Sequence, residues 1–207
     1  PDVAPADLAT LVRGNTAFAL DLYRLLAASE NGNLIVSPYS ISAALAMTFA
    51  GARGETAAEM AAALHFGLAG DDLHAAFNAL DLALASRSEV RLDPDQEGEP
   101  PRLHIANSVW AERTKTFLQD YLDVLAGYYG AGLRLVDFMG DPEGARGAIN
   151  RWVEEQTEDR IKDLIPQGVI DPATRMVLAN AIYLNASWLY PFDDARTGDG
   201  AFTRLDE

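Results

Sequence analysis

The chain of 207 residues contains no cysteine. Disulfide frameworks, thiol nucleophiles and thiolate metal sites are therefore excluded. The absence of cysteine is compatible with either an oxidising or a reducing compartment. Stability must come from a hydrophobic core, and the length suffices for one sizeable core or two small ones.

Basic residues are scarce, since 16 Lys and Arg face 31 Asp and Glu for a formal net charge of −15. Nucleic-acid binding depends on basic patches that neutralise phosphates, so this balance argues against it. An anionic membrane surface would repel the same charge. No apolar run reaches the roughly 20 residues that span a bilayer. We therefore expect neither a nucleic-acid nor a membrane partner.

Catalytic and metal-binding motifs are also missing. His65, His74 and His104 are isolated, without an HExxH pattern or an i, i+4 carboxylate partner. No G-x-S-x-G nucleophile elbow and no phosphate-binding loop occurs. We therefore predict no metal, no cofactor and no enzymatic activity, and a hydrolase is the weakest of the functional hypotheses.

The most informative stretch runs from Asn33 to Phe66. It opens with the apolar run Leu34-Ile35-Val36, which predicts a short buried strand. Ser37 is predicted to cap the helix that follows, and Pro38 suits the first helical position because an N–H there would be unpaired anyway. Gly51 is predicted to end this helix.

The helix after Pro38 has two kinds of surface. Ile41, Leu45 and Phe49 recur at i, i+4 and i+8, which predicts one apolar face. Much of the remaining surface is small, so another backbone can approach it closely; the small residues are Ser40, Ala43, Ala44 and Ala46. Thr56 and Glu59 then form a T-x-x-E pattern, which predicts a capping box for a second helix.

Periodicity predicts the remaining elements. Further helices are expected over residues 7–28, behind Asp71-Asp72, around Tyr121 and after Asp141-Pro142. Strands are expected over residues 103–111, 133–138 and 174–189. The first and last of these are apolar on both faces, which predicts cover on both sides, and the longest is predicted to be central.

The segment from Ser86 to Pro101 differs in composition from the rest of the chain, because it is rich in Asp, Glu and Pro. This composition predicts a solvated loop. An acidic recognition loop is the functional alternative, although charge runs are usually solvated surface.

Two segments together resemble the serpin family of serine-protease inhibitors. They read Ser37-Pro38-x-Ser40-Ile41-x-x-Ala44-Leu45-x-Met47 and Gly51-Ala52-x-Gly54-x-Thr56-x-x-Glu59-Met60. Segments 15–23, 150–161 and 178–192 resemble further serpin elements in the same order, so the resemblance covers nearly all of residues 7–207. It implies an α+β fold with helices packed on a large mixed central β-sheet, incomplete in this chain. We expect residues 1–207 to form the N-terminal portion of a single serpin domain, without an independent second domain.

The resemblance also implies three groups of site residues. The first group is the shutter, with Ser37, Ser40 and Asn180. The second is the breach, which is the top of the main sheet, with Trp188. The third is the helix that lies across the sheet, with Asn150, Trp152 and Thr157. The shutter is the cluster beneath the sheet that controls its opening. A buried amide without partners costs about 1–3 kcal/mol, so Asn180 is expected to be paired, with the two serines as implied partners. Spacing alone is also compatible with a plain helix cap, a small helix residue and a core tryptophan.

The function that the resemblance implies is inhibition of a serine protease, or of a cysteine protease, by a suicide mechanism. The protease cleaves an exposed loop, the loop inserts as a new strand in the main sheet, and the acylated protease is trapped. The loop and a shutter histidine are expected in the C-terminal remainder, beyond Glu207. The alternative is a non-inhibitory serpin that acts as a binding or carrier protein. The resemblance favours an extracellular, secreted protein.

Overall fold

The computed structural model describes residues 3–30, 32–89, 101–188, 190, 192–201 and 203. The helices are α1 Pro5–Ala27, α2 Pro38–Phe49, α3 Gly54–Ala63, α4 Gly70–Ala85, α5 Gln119–Tyr129 and α6 Pro142–Gln156. The strands are β1 Arg102–Glu112, β2 Leu133–Val136 and β3 Met176–Asn185. Short 3-10 turns lie at Ser86–Glu89 and Asp194–Arg196. The α+β class is confirmed.

The three strands form one mixed sheet in the order β2-β1-β3. β1 runs parallel to β2 and antiparallel to β3, with Arg102 opposite Asn185 at one end and Ala111 opposite Met176 at the other. Within the described residues β1 is therefore the central strand and β3 lies at an edge, unlike the sequence prediction. Apolar residues on both faces report cover above and below a strand, and this cover does not require a neighbouring strand on each side.

Helix α6 covers one face of the sheet. It begins at Pro142, and Asp141 caps it as predicted by accepting a hydrogen bond from the Gly144 N–H at 2.9 Å. Ile149 and Val153 are fully buried. They belong to one apolar cluster with Trp110, Ala179 and Ala181 of the sheet.

Helices α2 and α5 cover the opposite face. Met47 of α2 and Leu125 of α5 are fully buried in a second cluster with Val109 of β1. Leu178 of β3 packs against the same cluster. Both faces of β1 are therefore covered, as its sequence predicts.

The small-residue face of α2 is the most deeply buried part of that helix. Its buried residues are Ser40, Ser42, Ala43, Ala44, Ala46 and Met47. The predicted apolar face of Ile41, Leu45 and Phe49 is only half-buried. Small side chains let α1, α4 and the sheet pack close to the α2 backbone, so the close approach expected for this face is confirmed.

Two local predictions are wrong. Residues 34–36 form no strand, and the Ile35 side chain is 96% exposed, because no described segment supplies the ladder hydrogen bonds that a strand needs. The capping box at Thr56 and Glu59 is also absent, since α3 begins two residues earlier, at Gly54, and Arg53 makes no side-chain cap. Gly54 itself turns the chain as predicted, with a φ of +60° that favours glycine.

The boundaries of the remaining elements differ modestly from those predicted. β2 stops at Val136 and β3 stops at Asn185, each short of the predicted end. The predicted loop of residues 86–101 begins with the turn Ser86–Glu89, and residues 90–100 lie outside the described part of the chain. Among the helices described, none has the length and apolar character to cross a membrane.

Candidate functional site

Ser37 and Ser40 meet at the start of α2, beneath the sheet. The backbone N–H of Ser40 donates to Ser37 Oγ at 3.4 Å, which confirms Ser37 as the helix cap. The Ser37 hydroxyl donates to Ser40 Oγ at 2.9 Å. Ser40 is fully buried. The two hydroxyls therefore satisfy each other on the side of α2 that faces the core.

Asn180 lies on β3, on the face that also carries Leu178 and is turned towards α2. Its Nδ2 donates to Oδ1 of Asn107, the residue directly opposite on β1, at 2.7 Å. The structure thus pairs Asn180 with a neighbouring strand and pairs Ser37 with Ser40. The shutter role of these residues stays a prediction.

Asn107 is a site residue that the sequence reasoning missed. A usable signal exists, because residues two apart share a strand face and Asn107 lies between Ile105 and Val109. Antiparallel pairing of the two long strands brings such an asparagine opposite Asn180. The register was the missing information, since a shift of one residue would have placed the two amides on opposite faces.

A small cavity extends from Asn107 to the helices below the sheet. Its lining includes Tyr39 and Ala43 of α2, Phe77 and Asp81 of α4, and Tyr128 and Tyr129 of α5. Burial raises the pKa of Asp81, although a hydrogen bond from the Tyr39 hydroxyl acts in the opposite direction. Burial, reinforced by the Asp81 carboxylate, raises the pKa of Tyr39. The phenol therefore stays protonated and acts as the donor of this pair.

His74 of α4 is buried and forms a second polar contact in the same layer. Its Nδ1 lies 2.7 Å from the hydroxyl of Tyr129 on α5. Burial lowers the pKa of His74, although the nearby Asp71 carboxylate raises it. Burial also raises the pKa of Tyr129, so the phenol keeps its proton and donates to a neutral imidazole. His74 therefore forms a buried polar contact between α4 and α5.

Trp188 follows β3 instead of lying within it. Its side chain is 73% exposed and contacts the ring of Phe192 edge-to-face, with centroids 6.2 Å apart. Trp188 therefore lies outside the strand predicted over residues 174–189, because β3 ends at Asn185. The breach role of Trp188 stays a prediction.

The three residues predicted on the sheet-covering helix have distinct contacts. Asn150 Nδ2 donates to the Ile165 carbonyl at 3.0 Å, and its Oδ1 accepts from the Ile165 N–H at 2.9 Å. Thr157 follows the end of α6, where its Oγ1 donates to the Val153 carbonyl at 2.8 Å. Trp152 contacts Trp110 of β1 edge-to-face at 6.3 Å. Asn150 and Thr157 therefore hold the segment after α6, and Trp152 contacts the sheet.

Glu112 places a buried carboxylate at the end of β1. Glu112, the last residue of β1, is fully buried and accepts hydrogen bonds from the Thr114 N–H at 3.0 Å and the Met139 N–H at 3.1 Å. Burial alone would raise the pKa of Glu112, but these backbone donors lower it below its ordinary value. Glu112 thereby joins the loop after β1 to the turn after β2. Among the described residues, no group of three or more His, Cys, Asp or Glu side chains is arranged to hold a metal ion.

Comparison with known proteins identifies the family. Residues 13–207 match the family model described as "Serpin (serine protease inhibitor)". The chain is 42% identical over 193 residues to a leukocyte elastase inhibitor of Equus caballus, covering 93% of this chain and 48% of that protein. It is 40% identical over 195 residues to the leukocyte elastase inhibitor of Homo sapiens, with the same coverage of both. The chain thus spans about half the length of the curated relatives it matches.

Solved structures agree with this assignment. Ovalbumin from emu (Dromaius novaehollandiae) superposes with a TM-score of 0.80 at 30% identity, covering 96% of this chain and 52% of the other. The structure named "Cleaved Serpin 42Da" superposes with a TM-score of 0.82 at 26% identity, covering 97% of this chain and 51% of the other.

The fold consists of helices on a mixed sheet, and the chain belongs to the serpin family. Serine protease inhibition is the property that the family description states. The expectation of a secreted protein, which depended on the resemblance alone, receives no support from these relatives.

Proposed function

We propose that this chain is the N-terminal portion of a single serpin domain that inhibits a serine protease by suicide trapping. The observation that carries the proposal is the outer edge of β3, which has no ladder partner among the described residues. β3 is long, runs antiparallel to β1 and holds the Asn107–Asn180 pair at its middle. Such an edge can accept a further strand through backbone hydrogen bonds.

Strand insertion at this edge supplies the free energy for trapping. A cleaved loop that pairs along an edge as long as β3 forms several backbone hydrogen bonds, each contributing about 1 kcal/mol net. Burial of alternate side chains under α6 and over α2 adds roughly 25 cal/mol per Å². Because the loop is covalently attached to the protease at that stage, its insertion displaces the protease.

Ser37, Ser40 and Asn180 are proposed as the shutter that resists this insertion until cleavage. Ser37 and Ser40 are hydrogen-bonded to each other at the start of α2, and Asn180 of β3 is hydrogen-bonded to Asn107 of β1; these satisfied hydrogen bonds favour the closed arrangement. Trp188 is proposed to pack at the breach, and α6 with Asn150, Trp152 and Thr157 is proposed as the cover that must adjust. The C-terminal remainder of the protein is proposed to supply the reactive loop and the strands that follow β3.

The target is proposed to be a serine protease, and an elastase is the first candidate because several relatives carry the name leukocyte elastase inhibitor. The test is to mix the full-length protein with elastase-type, chymotrypsin-type, trypsin-type and subtilisin-type enzymes, and with a papain-type cysteine protease. A band that resists denaturant, at the summed mass of inhibitor and protease, is expected with at least one of them.

The matched control is the same protease with its active-site serine blocked, which should give no such band. Clean cleavage of the protein by every protease, without a covalent complex, would contradict the proposal. That outcome would favour the non-inhibitory alternative, in which the protein acts as a binding or carrier serpin.

A further inference from the structure

Arg134 lies where the sheet meets α6. It is on β2, directly opposite Trp110 of β1 in the parallel register. Its guanidinium carbon is 5.3 Å from the centroid of the Trp110 ring and 5.8 Å from that of Trp152 on α6. The Arg134 guanidinium therefore contacts one ring on β1 and one ring on α6. Because Arg134 itself lies on β2, this contact joins three elements.

The chemistry of arginine suits this position. A guanidinium within about 6 Å of an indole ring is attracted by the ring quadrupole, and tryptophan gives the strongest interaction of this kind. The group is planar and weakly hydrated, so it can cover a ring while its outer side keeps its water. Trp110 and Trp152 are only 5% and 8% exposed, whereas Arg134 is exposed. Arg134 thus closes the solvent side of the tryptophan pair.

The rings are held in orientation by other contacts. The Trp110 Nε1–H donates to Ser108 Oγ at 2.7 Å, which fixes the plane of that indole. Trp152 meets it edge-to-face, with an interplanar angle of 73°. Asn150 is directed at the segment after α6. The contact between α6 and the β1–β2 side of the sheet therefore depends strongly on Trp152 and on what covers it.

We propose that Arg134 is a positioning residue that clamps α6 to the sheet through Trp110 and Trp152. Helix α6 also covers Ala179 and Ala181 of β3, so a strand that enters beside β3 must be accommodated under this helix. The clamp consequently sets how readily the sheet accepts a new strand. This last statement rests on the proposed function, whereas the clamp itself does not.

The experiment compares Arg134→Met and Arg134→Lys with Arg151→Met in the full-length protein. Arg151 is an exposed arginine on α6 for which the described part of the chain shows no ion pair and no ring contact. Methionine keeps an apolar stem without the cation, and lysine keeps the cation without the plane. The readout is the hydrogen-exchange rate of backbone amides in α6, with α2 amides as the internal reference for global unfolding.

Arg134→Met is expected to exchange about tenfold faster in α6 at unchanged rates in α2, because losing two cation–π contacts favours local opening. Arg134→Lys should be intermediate and Arg151→Met should match the wild type. Equal α6 exchange in Arg134→Met and wild type, or equal acceleration in Arg151→Met, would overturn the clamp.

The proposed effect of the clamp on strand insertion has its own readout. This readout is the rate of covalent complex formation with a protease that the test of the proposed function identifies. A changed rate in Arg134→Met, unchanged in Arg151→Met, supports it, and an unchanged rate with faster α6 exchange overturns it. If the wild type forms no complex with any protease, the proposed function fails while the exchange data still decide the clamp.

Discussion

Asn107 and Asn180 illustrate how a single hydrogen bond can couple two strands. Each side chain offers a donor and an acceptor, and the pair uses one of each in the 2.7 Å bond between Asn180 Nδ2 and Asn107 Oδ1. The amides lie on the sheet face turned towards α2, and both are half-buried. Removing one partner leaves the other half-buried and unpaired, whereas removing both leaves two apolar groups that can pack.

We predict that Asn180→Leu and Asn107→Leu each lower the free energy of unfolding by about 1–3 kcal/mol. The double variant should lose less than the sum, with a coupling of about 1 kcal/mol, because the orphaned partner is gone. Urea unfolding of the four proteins in full-length form measures the cycle. A strictly additive double variant would show that the two amides do not interact in solution.

His74 provides a pH-dependent contribution to stability. Its folded-state pKa is lowered from the ordinary value of 6.5, first by burial and despite Asp71. As pH falls below that value the unfolded chain takes up a proton before the folded chain does. The stabilising effect of a neutral His74 is therefore present above the unfolded pKa and is lost as pH falls through it towards the folded pKa.

We predict that the wild type loses stability between about pH 7.5 and about pH 5 more steeply than His74→Gln does. Urea unfolding across this range tests the slope. His104→Gln is the matched control, since His104 is exposed on β1, where its ring lies 5.7 Å from that of Tyr183. Identical slopes for wild type and His74→Gln would mean that this imidazole stays solvated in the folded protein.

At the scale of elements, α6 and the segment after it behave as one unit. Asn150 forms two hydrogen bonds with the backbone of Ile165, and Thr157 Oγ1 accepts from the Ile161 N–H at 3.1 Å. Ile161 and Ile165 pack against the cluster under α6. The irregular segment thereby satisfies its backbone groups through side chains of the helix rather than through a ladder.

We predict that Asn150→Leu releases this segment from α6. The N–H and carbonyl of Ile165 lose their partners, at a cost of about 1–3 kcal/mol. Limited proteolysis should then cut within residues 158–170 faster than in the wild type, with no new cuts in α2. Gln156→Leu serves as the control, because Gln156 lies on the same helix and its side chain makes no hydrogen bond among the described residues. Equal digestion patterns in the two variants would contradict the assignment.

Sequence periodicity predicted the elements in which apolar residues recur regularly along the whole length. α1, α2, α4, α6, β1 and β3 were all expected close to their observed bounds, and the caps at Ser37 and Asp141 were confirmed. The two local failures have separate physical causes. Residues 34–36 have strand composition, but strand formation depends on a distant partner that local sequence does not specify. The capping box at Thr56 failed because the turn at Gly54 started the helix earlier.

The candidate site was predictable only in part. Ser37 and Ser40 follow from helix spacing, but the partner of Asn180 depends on the β1–β3 register, which the sequence does not encode locally. The contact of His74 with Tyr129 was not predictable from local sequence, because Tyr129 lies on α5, far along the chain. Arg134 carried no motif at all, since its role depends on two tryptophans in other elements.

At the scale of the whole molecule, one end of β3 presents an apolar surface. Leu184, Trp188, Tyr190 and Phe192 are between 67% and 85% exposed. Together with the edge of β3, they form a surface on which backbone and side chains lack cover in the described structure. Leaving several such side chains in water forfeits several kcal/mol at roughly 25 cal/mol per Å². That loss is comparable to the net stability of a domain, about 5–15 kcal/mol.

We therefore predict that residues 1–207 expressed alone self-associate or aggregate instead of behaving as an independent, inhibitory unit. Light scattering and urea unfolding at several protein concentrations measure this, with the full-length protein as the control. A soluble monomer that unfolds in one sharp cooperative transition would falsify the idea.

Two of the three tryptophans are buried and the third is exposed, and this contrast makes the intrinsic tryptophan fluorescence a probe of the structure. Trp110 and Trp152 are enclosed together, whereas Trp188 is open to solvent beyond β3. Indole emission shifts to shorter wavelength in an apolar surrounding. The native spectrum should therefore be the sum of a short-wavelength component from Trp110 and Trp152 and a long-wavelength component from Trp188. A water-soluble quencher such as acrylamide would remove mainly the long-wavelength component. When another segment covers the end of β3, the emission of Trp188 should shift to shorter wavelength, while the emission of Trp110 and Trp152 stays unchanged. The joining of a strand can therefore be followed in real time without a label.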